Sequence, residues 1–174
     1  MGTHIGKILL SEEVIRRRVR ELGQQISDDY RARDLIIVCV LQGAVIFLAD
    51  LLRELDIPTS LDFVRLSSYG DGTESKKQVR LLQGLTANVE GRDVLIIDDI
   101  VDSGLTLRYL SDILLVRKPA SVKRCVLLEK SERRTDDVEV DYVGFQIPDE
   151  FVIGYGMDYA GMYRGLHYIA ALKF

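Results

Sequence analysis

Hydrophobic positions recur with a helical period near the start of the chain. Ile15, Val19, Leu22 and Ile26 lie four, three and four positions apart, which is the spacing of the apolar face of an amphipathic helix. Ser11 stands just before this pattern and is followed by two glutamates, so we expect it to cap the helix at its N-terminus.

Farther along, unbroken apolar runs predict strands that are buried on both faces of a sheet. The predicted strands are Leu35–Leu41, 61–66, 94–98, 122–128 and 142–145, with a shorter strand at 79–82 and an apolar stretch at 168–172. Helices are predicted at 44–55 and 106–118, and a polar, glycine-bearing loop at 67–78. Buried strands that alternate with helices predict an α/β fold with a mostly parallel twisted sheet flanked by helices. Ligands of such folds bind beyond the carboxyl ends of the strands.

Composition narrows the class of protein. The 174 residues suit a single domain, and 47% of them are apolar, as is ordinary for a globular chain. Lys and Arg number 23 against 27 Asp and Glu, and the net charge of −4 argues against a main task of binding nucleic acid or an anionic membrane. The chain has neither a membrane-length apolar run nor a signal-peptide pattern, so we expect a cytoplasmic protein. Cys39 and Cys125 lie in apolar runs, which predicts buried thiols.

The candidate chemistry lies in the segment 94–106. An apolar strand ends in Asp98 and Asp99, and Asp102 then precedes the sequence Ser-Gly-Leu-Thr at the start of a helix. The N–H groups of a small-residue turn, two hydroxyls and a helix N-terminus favour a phosphate. Carboxylates accept hydrogen bonds from sugar hydroxyls or bind a hard cation. The segment therefore predicts a sugar-phosphate site; the alternative is a helix with acids at its positive end, but three clustered carboxylates are costly unless something binds them.

This segment resembles the phosphoribosyl-pyrophosphate signature of type I phosphoribosyltransferases: an apolar strand, two acids, two apolar residues, Asp, and then Ser/Thr-Gly-x-Thr. Leu41, Gln42 and Gly43 resemble the loop that holds pyrophosphate, and Ser68 with Tyr69 resembles the mobile loop that closes over the site. The segment 151–164 resembles the purine and pyrophosphate segment of hypoxanthine-guanine phosphoribosyltransferases, and the similarity runs from about residue 8 to residue 172.

The resemblance implies the type I phosphoribosyltransferase fold, as one domain over 1–174 with a small hood from about 1–12 and 148–174. It also implies purine salvage: the phosphoribosyl group of phosphoribosyl pyrophosphate is transferred to hypoxanthine or guanine, giving IMP or GMP and pyrophosphate. The implied cofactor is Mg²⁺. The implied partners are the two substrates and further copies of the chain, as a homodimer or homotetramer, with no nucleic acid and no membrane.

Residue roles follow from the same resemblance. Asp102 is implied as the general acid/base at the purine N7, and Asp98, Asp99 and Asp158 as metal ligands. The implied substrate-binding residues are Gln42, Gly43, Ser68, Tyr69, Asp98, Asp99, Ile100, Val101, Ser103, Gly104, Leu105, Thr106, Lys130, Phe151, Val152, Asp158 and Arg164. Gln42 departs from the family, which often has Lys or Arg there, so we expect activity with weaker pyrophosphate binding.

Several alternatives remain open. Lys130 is implied as the donor to the purine O6, but it could instead be a solvated lysine at a strand end. A relative active on xanthine would share the same motifs. An RNA-binding regulator of the pyrimidine-operon type shares the scaffold, although it calls for a basic surface that a net charge of −4 does not favour. A non-catalytic nucleotide sensor is expected to lose the third carboxylate, which is present as Asp102.

Overall fold

A computed structural model of the chain describes residues 4–69 and 78–174. The strands are β1 (His4–Leu10), β2 (Leu35–Leu41), β3 (Ser60–Tyr69), β4 (Gln78–Gln83), β5 (Asp93–Val101), β6 (Ser121–Glu129), β7 (Tyr142–Gln146), β8 (Val152–Ile153) and β9 (Ile169–Lys173). The helices are α1 (Glu12–Asp29), α2 (Val45–Glu54) and α3 (Leu105–Leu115), and a short 3₁₀ turn covers Ser131–Arg133.

Within these ranges, six strands form the main sheet in the order β4-β3-β2-β5-β6-β7. β3, β2, β5, β6 and β7 are parallel, and β4 pairs with β3 in the antiparallel sense at one edge. The predicted α/β fold with a mostly parallel sheet is confirmed. The chain leaves β2 toward one edge and β5 toward the other, so these central strands form the switch point where such folds bind ligands.

Apolar side chains of alternate strand residues cover both faces of the sheet. On one face α1 and α2 pack over β2 and β5, and the four apolar positions of the predicted first helix are all buried there. Ser11 caps α1, since its hydroxyl accepts from the Val14 N–H at 3.4 Å. On the other face α3 packs through Leu107, Leu110 and Leu114. Both faces of the main sheet are therefore covered by apolar side chains and helices, and this core fixes the position of the strand ends at which the site lies.

Three element ends differ from the sequence prediction by three residues, and the others by one or two at most. β5 continues through Val101 because it stays paired with β6, so Asp99 belongs to the strand as well as the predicted Asp98. α3 ends at Leu115, three residues early, and Lys118 has a left-handed φ of 56°. The predicted loop 67–78 is shorter, since β3 runs to Tyr69 against β4. The side chains of Ser68 and Tyr69, which belong to the predicted mobile loop, and residues 70–77 lie outside the described part.

A second, smaller sheet joins the two ends of the described chain. Its antiparallel order is β1-β9-β8, with Ile5 opposite Leu172 and Val152 opposite Ala171. The sequence pattern does not predict β1, because its apolar residues do not alternate cleanly and most of its positions are exposed. The sheet brings the segment after β8 over the carboxyl ends of the main sheet.

Two buried features anchor the rest of the fold. Cys39 and Cys125 are free and fully buried, which confirms the prediction for both thiols. Asp62 in β3 accepts hydrogen bonds at 2.8 Å from the backbone N–H groups of Phe63, Thr86 and Ala87. Burial raises the pKa of this carboxyl, but those bonds outweigh it and leave the pKa below its ordinary value. No helix in 4–69 or 78–174 is long and apolar enough to cross a membrane.

Candidate active site

A cleft of about 500 Å³ opens at the carboxyl ends of β2 and β5. The predicted site residues that line it are Gln42, Gly43, Asp98, Asp99, Ile100, Asp102, Thr106, Lys130, Phe151, Val152, Asp158 and Arg164. Val101, Ser103, Gly104 and Leu105 lie in the same segment but do not line the cleft. Arg133 and Met157 also line it, and no pattern in the sequence singled them out.

Asp98 and Asp99 form the floor of the cleft. Asp98 is only 6% exposed, and its Oδ1 accepts from the Asp99 N–H at 3.0 Å. Asp99 Oδ1 accepts from the Ile100 N–H at 2.9 Å. Burial, and then the charge of Asp99, raises the pKa of Asp98 well above its ordinary value; burial also raises the pKa of Asp99. Two adjacent carboxylates of raised pKa, one buried and one half-buried, are a site that a cation or a set of hydroxyl donors would stabilise.

Gly43 lies directly against the Asp99 carboxylate. A Cβ atom on Gly43 would lie 1.8 Å from Asp99 Oδ2, so no larger residue fits without displacement. From the other side, a Cβ on Gly156, which has a φ of 102°, would lie 2.1 Å from the Gly43 carbonyl oxygen. The loop after β2 is therefore held between the floor of the cleft and the segment after β8. The Leu41–Gln42 peptide bond within this loop is cis.

The turn 102–104 leads into α3 with the geometry of an anion site. Gly104 has a left-handed φ of 92°, and the Leu105 N–H donates to the Ser103 hydroxyl at 3.4 Å. The Ser103 carbonyl accepts from the N–H groups of Thr135 and Asp136, which fixes the turn to the loop after β6. The first turn of α3 carries no acid, so its N-terminal N–H groups remain suited to a phosphate.

Lys130 is buried rather than solvated. It follows β6, its N–H donates to the Val101 carbonyl at 3.0 Å, and the residue is 8% exposed. Its ammonium donates to Asp149 Oδ1 at 3.3 Å, and Arg133 contacts the same oxygen at 3.4 Å. Arg133 Nε also lies 3.3 Å from Asp102 Oδ1. Neither Asp149 nor Arg133 stands in a motif that the sequence pattern reveals.

The segment after β7 supplies an aromatic surface and a charged pair. The Phe151 ring is 45% exposed and makes edge contacts with Tyr159 and Phe174, each with ring centroids 5.8 Å apart. Arg164 pairs with Asp158 at 2.7 Å and donates to the Gly156 carbonyl at 2.6 Å. A flat ligand can stack on the exposed Phe151 ring, and an anion can bind the guanidinium of Arg164.

Asp98, Asp99 and Asp158 do not form a closed metal cage. In the described ranges, no group of three or more His, Cys, Asp or Glu side chains is placed to hold a metal ion. The carboxylates instead line one cleft at two places, on β5 and beside Arg164. Such a donor set fits Mg²⁺, which binds through one or two carboxylates together with substrate phosphates and water.

Comparisons with known proteins agree with this geometry. The phosphoribosyl transferase domain family matches residues 7–160. The hypoxanthine-guanine phosphoribosyltransferase of Bacillus subtilis is 47% identical over 173 residues, covering 99% of this chain and 96% of that protein. The bifunctional protein TilS/HprT of Listeria monocytogenes is 49% identical over 99% of this chain, which spans 27% of that protein's length. A crystal structure of a hypoxanthine phosphoribosyltransferase from Staphylococcus aureus matches with a TM-score of 0.93 and 44% identity, over 97% of this chain and 92% of that one.

The family match covers more than half of the chain, and the Bacillus subtilis relative is similar over nearly its whole length. The family match over residues 7–160 includes the β5–α3 signature and the loop after β2, and it ends within the segment after β8. This chain belongs to the phosphoribosyltransferase family, in its hypoxanthine-guanine branch.

Proposed function

We propose that this chain is a purine-salvage enzyme that transfers the phosphoribosyl group of phosphoribosyl pyrophosphate to hypoxanthine and guanine. The products are IMP or GMP and pyrophosphate. The observation that carries the proposal is that one cleft is lined by two different surfaces. One consists of Asp98, Asp99 and Thr106 in the first turn of α3; the other consists of Phe151 and Lys130. The first suits a sugar phosphate, and the second suits a flat base that carries an acceptor oxygen.

The sugar phosphate binds along β5 and α3. The 5′-phosphate receives hydrogen bonds from the turn 103–106, whose N–H groups and helix N-terminus attract an anion. Asp98 and Asp99 accept from the ribose hydroxyls. The base stacks on Phe151, and the backbone near Val152 and Asp158 contacts its 2-position. Arg164, which Asp158 and the Gly156 carbonyl already orient, meets the pyrophosphate.

In the reaction, the N9 lone pair of the base forms the bond to C1′ as the bond from C1′ to the pyrophosphate oxygen breaks. Pyrophosphate leaves with that electron pair. Asp102 takes the proton from N7, and a positioned acid or base of this kind contributes about 10²–10⁴-fold. Lys130 donates to O6 and stabilises the charge that develops on the base. Asp98 and Asp99 lie where they can stabilise positive charge on the ribose.

Enzymes of this family use a divalent metal with phosphoribosyl pyrophosphate. We propose Mg²⁺, held by Asp98, Asp99 and Asp158 together with the substrate. Burial raises the pKa values of Asp98 and Asp99, and a cation favours their charged forms, so the residues fit the ion. When bound, the ion neutralises negative charge on the leaving pyrophosphate.

Turnover with hypoxanthine tests the reaction. We expect IMP and pyrophosphate in equal amounts, loss of activity in EDTA, and recovery with Mg²⁺ or Mn²⁺. Absence of IMP at saturating substrates would overturn the proposed function, whereas full activity in chelator would overturn only the role of the metal. For quaternary structure we propose a homodimer or homotetramer, and a monomer by light scattering at micromolar concentration would refute it.

A further inference from the structure

Four charged side chains form a row of ion pairs beside the cleft. The Lys130 ammonium lies 3.3 Å from Asp149 Oδ1, and Arg133 Nη1 lies 3.4 Å from the same oxygen. At the other end, Arg133 Nε lies 3.3 Å from Asp102 Oδ1. Lys130, Arg133 and Asp102 line the cleft, but Asp149 does not. Asp149 can therefore affect a ligand through the two cations that it holds.

Lys130 needs such a partner. Its side chain is 9% exposed, and a buried ammonium is costly unless it is paired. Among the described residues, Asp149 is the carboxylate within ion-pair distance of it. An ammonium has three N–H donors, so the bond to Asp149 leaves others for a ligand. The flexible lysine stem does not fix the ammonium by itself, and the position of the donor therefore depends on Asp149.

Arg133 connects this pair to Asp102. Asp102 Oδ1 is buried and has no hydrogen-bond partner in the described ranges, although the Arg133 guanidinium lies within ion-pair distance of it. A guanidinium is planar and rigid, so its Nε and Nη1 hold two carboxylates at a set separation. The contact engages Oδ1 and leaves Oδ2 as the oxygen that can exchange a proton with a base.

We propose that Asp149 and Arg133 are positioning residues that hold Lys130 and Asp102 at the spacing of O6 and N7 on one edge of the purine. This inference rests on the proposed function, because it assigns the two cleft residues to those two atoms. Asp149 also lies two positions before Phe151, so one short segment places both the stacking ring and the partner of the O6 donor. The alternative is that Asp149 only ties the loop after β6 to the segment after β7, which would affect stability and not the kinetics of the base.

The first test is a double-mutant cycle between Asp149 and Lys130. Asp149→Asn should raise KM for hypoxanthine about tenfold, the effect of losing one charge-assisted contact, and leave KM for phosphoribosyl pyrophosphate within twofold. In a Lys130→Met background the same substitution should have almost no effect, because Asp149 acts through Lys130. Glu150→Gln, which removes the neighbouring exposed carboxylate, is the matched control and should match wild type.

The outcomes separate the two levels of the claim. The positioning role would be overturned if Asp149→Asn left KM for hypoxanthine unchanged, or if it raised that KM equally with Lys130 and with Lys130→Met. The proposed function would still stand in either case, provided that the wild-type chain turns over hypoxanthine. A wild-type chain that does not turn over hypoxanthine would overturn the function itself. If Asp149→Asn fails to fold, Asp149→Glu carries the test: the retained carboxylate should keep KM within threefold of wild type, and a tenfold rise would refute the proposal.

The second test concerns Arg133 and uses single-turnover rates. Arg133→Gln should lower the rate of the chemical step about tenfold without changing KM for phosphoribosyl pyrophosphate, and Arg133→Lys should restore part of it. In an Asp102→Asn background, Arg133→Gln should have no further effect. Additive losses would contradict a role through Asp102. Glu132→Gln, on the same 3₁₀ turn, is the control and should leave the rate unchanged.

Discussion

Replacement of Gly43 by alanine tests how closely the loop after β2 must approach the floor of the cleft. In Gly43→Ala the new methyl carbon would lie 1.8 Å from Asp99 Oδ2. An ordinary contact begins near 3.4 Å, so the two atoms must separate by about 1.6 Å. The loop cannot simply withdraw, because Gly156 packs against the Gly43 carbonyl from the other side. The substitution must therefore displace Asp99, the loop, or both.

A shift of about 1 Å in a reacting group can cost about 100-fold in rate. We therefore expect kcat/KM for phosphoribosyl pyrophosphate to fall at least 100-fold in Gly43→Ala. Gly84→Ala is the matched control, because a Cβ there would meet only Leu81 Cδ2 at an ordinary 3.4 Å, and it should keep wild-type kinetics. Steady-state kinetics and thermal unfolding on all three proteins make the comparison. Kinetics of Gly43→Ala within threefold of wild type would refute the packing argument.

Three further predictions concern the general acid/base, the thiols and a buried carboxylate. Asp102→Ala should lower kcat about 10²–10⁴-fold with an unchanged unfolding temperature, and a loss below threefold would refute its role. Burial raises the pKa of Cys39 to about 12 and also raises that of Cys125, so neither thiol should react with iodoacetamide at pH 8 until the chain unfolds; fast alkylation of the folded protein would contradict this. Asp62→Ala leaves three backbone N–H groups without their acceptor and should lower the free energy of unfolding by about 2–4 kcal/mol in urea titrations. The pKa of Asp62 is lowered in the folded state, so the ionised carboxylate stabilises the fold above its unfolded pKa of about 4. This stabilisation is lost as pH falls through the pKa of the folded state. If Asp62→Ala lowered the free energy of unfolding equally at pH 7 and pH 2, this reasoning would be contradicted.

The signature segment could be predicted from sequence because its parts are contiguous. Strand, acids, turn and helix follow one another within 94–106, and their local pattern fixes which side chains reach the carboxyl end of the sheet. The extent of β5 could not be predicted in the same way. Acidic residues disfavour strands, so the local sequence predicts that the strand ends at Asp98 and Asp99. Pairing with β6 nevertheless extends β5 to Val101.

The residues that support the site were missed for a different reason. Arg133 meets Asp102 across 31 positions, and Asp149 meets Lys130 across 19, through the paths of two loops. Gly156 packs on Gly43 only because the small sheet folds the segment after β8 over the main one. A single sequence shows such residues as ordinary loop charges and glycines, since nothing local distinguishes them.

The identity of the base is the most direct test of the central claim, which is that Lys130 recognises the carbonyl oxygen at C6 of a 6-oxopurine. Hypoxanthine and guanine carry an acceptor at C6, whereas adenine presents an amino donor to the Lys130 ammonium. A site built around one polar contact can reject an analogue that lacks it by about 10⁴-fold.

The measurement is kcat/KM for hypoxanthine, guanine, xanthine and adenine at saturating phosphoribosyl pyrophosphate and Mg²⁺. We expect comparable values for hypoxanthine and guanine, a lower value for xanthine, and no measurable turnover of adenine. A value for adenine within tenfold of that for hypoxanthine would contradict this expectation.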